Sequence, residues 1–438
     1  MPMDWRRSTL VPIFKNKGDI QSCSNYLRVK LMSHTMKLWE RIIDNRLRRE
    51  TTISENQFGF MPRRSTMEAI FLVRRLLEKY REKKKDLHMV FVDLEKAYDR
   101  VPRDVLWWVL ERKRVHARYI DTIKDMYDGV VTSIKTFGEA TKEFLITIGL
   151  HQGSALSSYL FTLVIDELTR HIQEDIPWRM LFADDIVLVD ETKDGVNRKL
   201  ELWMNTLESK GFKLSRTKTE YMHCEFGNTR HRDDRVVKLG EVEVPKVNHF
   251  RYLGSIIQND GNIENDLTHR IQAGWKKWRS ATGVICDRYV PTKLKGKFYR
   301  TAIRPAMLYG SEYWAVKQQQ LHKVNVAEMR MLRWMCGKTR KDRIRNIEIQ
   351  RQVGVAPIDT KIREERLRWF GHLQRRPTNA PTRKLDLIET VEIRRSRGRP
   401  KLTWDALIKR DLNGLQSSPS IALNRAQWKS LIHVADPS

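Results

Sequence analysis

The sequence predicts an α+β fold: strands and helices alternate around an antiparallel sheet in the front part, and the back part is almost wholly helical. Three observations carry this. Residues 181–190 place two apolar, β-prone runs on either side of adjacent aspartates, which reads as two short strands joined by a tight acidic turn. Residues 88–93 form a second β-branched run that ends on a carboxylate. From Ile263 onward apolar residues recur at helical spacing, over about 264–287, 292–309, 317–337, 342–353 and 359–376.

The chain has 438 residues, 40% of them apolar, enough to bury a sizeable core and to form two to four domains. Its net charge of +28 points to a polyanionic partner, nucleic acid ahead of a membrane surface. The charge is uneven. Residues 261–438 hold 37 Lys+Arg against 16 Asp+Glu, whereas residues 1–260 hold 45 against 38. The acidic groups thus lie where a metal site would need them, and the basic part is interleaved with Trp and Tyr. Cys23, Cys224, Cys286 and Cys336 form no C-x-x-C pair, which excludes a disulfide framework and a zinc knuckle. No apolar run approaches a membrane span. The expectation is an intracellular protein, acting in the nucleus, with no membrane partner; no protein partner can be named.

In chain order, residues 10–14 form an apolar run followed by Lys15, Lys17 and a Gly-Asp turn, so the chain reads as starting inside a domain. Met36, Trp39, Ile42, Ile43 and Leu47 share one helical face. Residues 56–64 read as a loop, after which Ser65 caps a helix with Ile70, Val73, Leu77 and Tyr80 inward. Lys83–Lys85 is a solvated turn. Pro102 opens a helix through Trp107 and Leu110. Two glycines, Gly149 and Gly153, bracket polar residues before Ser154, which opens a helix with Leu160, Phe161, Val164, Ile165 and Leu168 inward. The positive end of that helix suits a phosphate or a templating base. Val196, Leu200, Trp203 and Leu207 mark a helix closed by Gly211. Short strands follow at residues 212–214 and 220–223, with Lys218 between them, and residues 249–255 form a strand-and-turn unit. Residues 377–392 read as a linker, and residues 394–401 as a basic, extended clip before a last helix carrying Trp404, Leu407 and Ile408.

Adjacent carboxylates repel each other and call for a cation when half-buried. Mg²⁺ suits them, taking hard oxygen ligands from one or two carboxylates plus substrate phosphates, with Mn²⁺ as an alternative. Asp93 and Asp184 lie 91 residues apart but meet if their strands are neighbours. Asp93, Asp184 and Asp185 would then surround two ions, the arrangement that performs nucleotidyl transfer.

These residues resemble a known family. Residues 91–99 (FVDLEKAYD), 149–157 with Gln152-Gly153-Ser154, and 182–185 (FADD) are similar to three successive motifs of reverse transcriptases from non-LTR (LINE-like) retrotransposons, near the RTE clade. Residues 56–62, 211–218 and 250–254 match further segments, so the resemblance covers about residues 5–260 closely and the basic tail loosely. It implies a right-hand polymerase with partial fingers (1–87), palm (88–260), helical thumb or connection (261–376) and a basic C-terminal region (377–438). It implies Asp93, Asp184 and Asp185 as catalytic metal ligands. Lys15, Arg28, Tyr98, Gln152, Gly153 and Lys218 would meet the nucleotide, with Tyr98 under its sugar and Lys218 near the leaving phosphates. Phe250, Tyr252, Leu253 and Gly254 would grip the primer. An RNA template, a DNA primer and deoxynucleoside triphosphates are the implied partners.

The sequence departs from the family pattern at Leu27, where Arg is usual and Arg28 stands one place late, at Arg63 for Gly, and at Ser158 for Pro. Such elements encode an endonuclease upstream that is not part of this sequence, and the reading is of a fragment. Two rival readings are a catalytically silent nucleic-acid-binding relic and an A·T minor-groove strand at 397–400, in which Arg397, Arg399 and Lys401 contact DNA.

Overall fold

A computed structural model describes residues 1–15, 18–136, 138–227, 236–385 and 401–437. The N-terminal elements are α1 (Met3–Arg6), β1 (Arg7–Phe14), β2 (Tyr26–Leu31), α2 (His34–Glu50) and α3 (Thr66–Lys83). Then come β3 (Leu87–Val92), α4 (Arg103–Arg112), α5 (Ala117–Tyr127), β4 (Val131–Ile134), β5 (Phe144–Leu145) and α6 (Ser157–Thr169). Next are β6 (Arg179–Phe182), β7 (Asp185–Asp190), α7 (Lys193–Glu208), β8 (Glu220–Cys224), β9 (Lys238–Leu239) and β10 (Val242–Glu243). After β11 (His249–Tyr252) and β12 (Ser255–Gln258) the chain is helical: α8 (Glu264–Ser280), α9 (Thr282–Ile285), α10 (Thr292–Phe298) and α11 (Arg304–Leu308). It continues through α12 (Gln318–Met335), α13 (Asn346–Val353), α14 (Ile358–Gln374), α15 (Pro381–Lys384), α16 (Trp404–Gly414) and α17 (Arg425–Ile432). Two units result: Met1–Ala69 with His88–Tyr221 and His231–Lys246, and Ile70–Leu87 with Met222–Arg230 and Val247–Ser438.

In the first unit, β3 is buried along its whole length, His88 included, which is why residues 87–92 show no apolar–polar alternation. It lies inside a four-stranded sheet of order β6-β7-β3-β8, antiparallel across β6, β7 and β3. Helix α6, buried on nearly every side, shares a core with β3, β7, α4 and α7 around Phe161, Leu188, Leu106 and Trp203. A second sheet, β2-β1-β4-β5, is mixed: β1 pairs β2 antiparallel but β4 parallel.

Several local expectations change. The tight turn is made by Ala183, at φ +56°, and Asp184; Asp185 is already the first residue of β7. Residues 212–214 are no strand, since only Leu214 bridges to Leu94. Helix α6 begins at Ser157; Ser154 stands before it, its hydroxyl accepting from the amides of Leu156 and Ser157 at 3.2 Å. Helix α17 follows the helix expected to be the last. Residues 381–384 of the expected linker are the short helix α15, while its remainder from residue 386 lies outside the described residues.

The second unit packs α8, α12, α13 and α14 around Trp278, Trp314, Met331 and Ile358. Its polar hub is Asp266, which is fully buried and accepts from Arg74 Nη2 (2.7 Å), Ser255 Oγ (2.9 Å), the Ile256 amide (2.9 Å) and Trp314 Nε1 (3.0 Å). A buried carboxylate with this many donors is satisfied, and removing one partner would strand it. Trp428 of α17 docks on α14, its indole N–H donating to Leu367 O at 3.0 Å. No helix among the described residues is long and apolar enough to cross a membrane, and all four cysteines are free.

Glu312 of this unit gives a pH test. Burial first, then the Glu365 charge, push its carboxyl up to about 7, against the opposing pull of Arg368. The folded protein therefore holds a proton that the unfolded chain releases nearer the ordinary carboxyl range. The benefit is complete below that range and is lost as pH rises through about 7. Glu312→Gln, which cannot ionise, should exceed the parent in unfolding free energy by about 3 kcal/mol at pH 8 and match it near pH 4. Urea titrations at the two pH values check this, and an equal gap at both would refute it.

Candidate active site

Strand β3 pairs β7 with Val92 opposite Ile186, so one step further along the two strands stand Asp93 and Asp185. Asp184 precedes it in the turn. Burial raises Asp184, with Asp93 adding to the effect and Lys218 opposing it. Burial, then Asp184, then Asp93 push Asp185 up to about 7. Like charges are therefore being held together without enough compensation. Lys218 Nζ donates to Asp93 Oδ2 at 3.3 Å, with the lysine 67% exposed, so the pair is a weak one. Among the described residues, no three His, Cys, Asp or Glu side chains are arranged as ligands of one ion. The chemistry of this donor set nonetheless fits a hard divalent cation: half-buried, mutually repelling oxygens beside a lysine that is easily displaced.

The hairpin that carries Asp184 is braced by residues 56–59, which the sequence presented as a loop. Gln57 bridges Leu181 in parallel, Phe58 N donates to Leu181 O (2.7 Å), and Leu181 N donates to Asn56 O (2.9 Å). Gln57 Oε1 accepts from the amides of Gly59 (2.9 Å) and Ala183 (3.0 Å). Gly59 is needed because a Cβ there would stand 2.4 Å from Ala183 N. The family resemblance includes this segment, but nothing in the residue pattern shows that it holds the acidic turn.

Downstream, Arg63 occupies the position where the resembled family has Gly, at φ +62°. The left-handed region is unfavourable for a side chain that carries a Cβ. Arg63→Gly should stabilise the protein by roughly 0.5–1 kcal/mol after the extra freedom of the unfolded Gly is counted. Thermal unfolding checks this; a lowered melting temperature would show that contacts of the Arg63 side chain outweigh its backbone.

Residues expected at the nucleotide divide by strand geometry. Arg28 and Leu27 are neighbours on β2 and point to opposite faces. Arg28 Nη1 reaches Asp99 Oδ2 at 3.1 Å, whereas Leu27 is 41% exposed. Lys30, two residues on, shares the Arg28 face. Burial and Arg103 bring Lys30 down to about 8, against the pull of Asp99 and Glu40. Lys30 N donates to Gln152 O (3.1 Å), and a Cβ at Gly153, φ +99°, would meet Lys30 O at 3.3 Å. Arg28, Lys30, Gln152 and Gly153 are thus brought together. Glu40 underpins the loop, accepting from Ser154 Oγ (2.6 Å) and the Ala155 amide (3.3 Å), and burial raises its carboxyl. Lys30 and Glu40 were missed by sequence reasoning. The period of two from Arg28 could have found Lys30; a charge buried on a helix such as Glu40 leaves no such signal.

Tyr98 stacks on Phe161 with ring centroids 4.6 Å apart, so it packs against the core while its raised hydroxyl interacts with Ser158 and the Asp184 charge. Ser158, a departure from the family pattern, is therefore a polar partner for this tyrosine. Lys15 ends the β1 side of the same sheet, its amide donating to Asn25 O at 2.9 Å.

Phe250, Tyr252, Leu253 and Gly254 belong to the second unit, on the β11–β12 hairpin whose turn places Leu253 at φ +47° and Gly254 at φ +85°. Tyr309 Oη donates to Leu253 O (2.7 Å), and Arg270 lies 4.6 Å over the Tyr309 ring. Lys401 lines a small cavity of the same unit with Arg74, Arg81 and Lys317. Arg397 and Arg399 lie outside the described residues.

Compared with known protein families, residues 14–257 match the one described as reverse transcriptase (RNA-dependent DNA polymerase). The chain belongs to the reverse transcriptase family. This reverse transcriptase sequence is 25% identical over 342 residues to the retrovirus-related Pol polyprotein from the type-1 retrotransposable element R2 of Popillia japonica, covering 73% of this chain and 46% of that protein. It is 22% identical over 407 residues to the RNA-directed DNA polymerase from mobile element jockey of Drosophila melanogaster, covering 89% and 44%. The chain spans about half the length of the curated relatives it matches. Among solved structures, apo telomerase from Candida tropicalis aligns with a TM-score of 0.43 at 12% identity, over 98% of this chain and 70% of that one.

Proposed function

We propose that this chain is the polymerase part of a non-LTR retrotransposon, copying an RNA template by adding deoxynucleotides to a DNA primer 3′-hydroxyl. The observation that carries it is the β3–β7 register, which sets Asp93 level with Asp185, next to Asp184 in the turn, in a chain belonging to the reverse transcriptase family. Asp93, Asp184 and Asp185 would hold two Mg²⁺ ions, with Mn²⁺ able to substitute. The chemistry such ions would supply there is a lowered pKa for the attacking hydroxyl and neutralisation of the leaving pyrophosphate.

The chain's own groups do the positioning. Burial and mutual repulsion disfavour the charged forms of Asp184 and Asp185, so a cation entering beside them relieves both. Arg28 and Lys30, on one face of β2, meet the triphosphate together with Lys15, and Gln152 and Gly153 line the pocket. Lys218 lies near the leaving phosphates. Tyr98, fixed by Phe161, sits under the sugar and leaves no room for a 2′-hydroxyl. Residues 250–254 grip the primer end. In this reading residues 1–87 are partial fingers, 88–260 the palm, 261–376 the thumb and 377–438 the basic C-terminal region.

Purified protein should extend a DNA primer on an RNA template with Mg²⁺ and deoxynucleotides, and chelation should stop it. A folded chain that binds primer–template without extending it would instead support the silent nucleic-acid-binding relic.

A further inference from the structure

Helix α12, the turn after it and the start of α13 enclose a groove of about 820 Å³ in the second unit. Arg330, Arg333, Lys338 and Arg340 line it, together with Trp334, and no Asp or Glu does. Among the described residues, no salt bridge within 4 Å reaches any of the four cations, and the one acidic charge felt nearby is that of Asp342 on Lys338. Asp342, in the same turn, is engaged by the Thr339 amide (2.6 Å) and hydroxyl (2.9 Å). Arg333 is held in place, donating through Nη2 to Ile344 O (3.1 Å) and Asn346 Oδ1 (2.7 Å).

Trp334 is the second observation. It is 52% exposed, a large apolar surface to leave in water beside four cations. Edge-on contacts hold it, at 5.4 Å from the buried Trp278 and 6.2 Å from Trp275, with interplanar angles of 64° and 68°. The ring is thus fixed on one side and open to solvent over about half its surface. Trp275, in ring contact with Trp334, also lines a second concavity with Lys276 and Arg279 on α8. Cations therefore accompany both tryptophans, Arg330, Arg333, Lys338 and Arg340 beside Trp334, and Lys276 and Arg279 beside Trp275.

A linear polyanion that also carries flat, unpaired rings meets all of these features. Acidic peptides offer charge without the rings, and a duplex keeps its ring faces stacked inside. We propose that this surface binds single-stranded nucleic acid, with a base stacked on Trp334 and backbone phosphates at Arg330, Arg333, Lys338 and Arg340. It is a binding site of the second unit, separate in its residues from the aspartates, and it does not require the chain to be a polymerase.

The test uses the full chain carrying Asp184→Asn, without deoxynucleotides, and short labelled strands of uridine RNA or thymidine DNA. A photoreactive base in either strand should crosslink to the peptide containing Trp334. Trp334→Ala should weaken binding roughly tenfold or more, and Trp334→Phe should restore part of it. Arg330→Gln with Arg340→Gln, both exposed changes that spare the core, should lower the slope of log affinity against log salt by about 1.4. Arms with RNA and DNA show which sugar is preferred; a preference for either supports the proposal. Tighter binding of duplex or of polyglutamate than of the single strands would overturn it. So would crosslinks confined to other peptides together with an unchanged salt slope in the double variant.

Discussion

Asp184→Asn is expected to lower primer extension on RNA by ~10³-fold or more while leaving the chain at least as hard to unfold. Asn keeps the shape of the side chain and removes one negative charge. Burial and Asp93 hold the Asp184 carboxyl above its ordinary range, so the charged form is disfavoured in the metal-free fold. Taking that charge away relieves repulsion on Asp185, whose carboxyl Asp184 helps to push up. Stability and activity should therefore move in opposite directions, as they do where a site keeps its groups under strain. Extension rate at saturating nucleotide, measured beside a melting curve, separates the cases. Undiminished extension would remove Asp184 from the catalytic set, and a collapsed melting temperature would make its role structural.

Gly59→Ala should cost ~10²-fold in extension rate through misplacement of the turn, although residue 59 carries no side chain to contribute. The added Cβ would stand 2.4 Å from Ala183 N and 3.0 Å from Phe182 C, both backbone atoms that cannot swing aside. Either the 56–59 segment or the Ala183–Asp184 turn must shift, and overpacking of this kind costs ~1–3 kcal/mol. The two amides shared by Gln57 Oε1 would be pulled apart by the same movement. The effect should fall on kcat more than on nucleotide KM, since what moves is the aspartate and not the Arg28–Lys30 face. Steady-state kinetics on both parameters check this, and a wild-type kcat would show that the turn tolerates the displacement.

The sequence made the two acidic strands legible because β-branched runs and terminal carboxylates are local signals, and their register then brought Asp93 and Asp185 level. The helices after Ile263 were equally plain from their spacing. The turn was misplaced by one residue because Ala183 takes a positive φ that its identity does not announce. The pairing of β1 with β4 joins residues more than a hundred positions apart, and no local pattern encodes it. Helix α5 was readable from Ile120, Ile123 and Tyr127 on one face, yet went unread between stronger motifs. Buried charges such as Lys30 and Glu40 were invisible because sequence shows charge but not burial.

The two-residue turn between β6 and β7 closes a contact between near neighbours, which chains accomplish within ~1–10 μs. Its brace, by contrast, comes from Gln57, 126 positions away in the chain, and a loop of that length must close before the amides meet. The acidic hairpin is thus assembled early and aimed late. Refolding followed by circular dichroism should recover the sheet signal ahead of primer extension, and simultaneous recovery would show that brace and hairpin form in one step. Catalytic competence would then be among the last properties the folding chain acquires, set by a coil segment that carries no reactive group of its own.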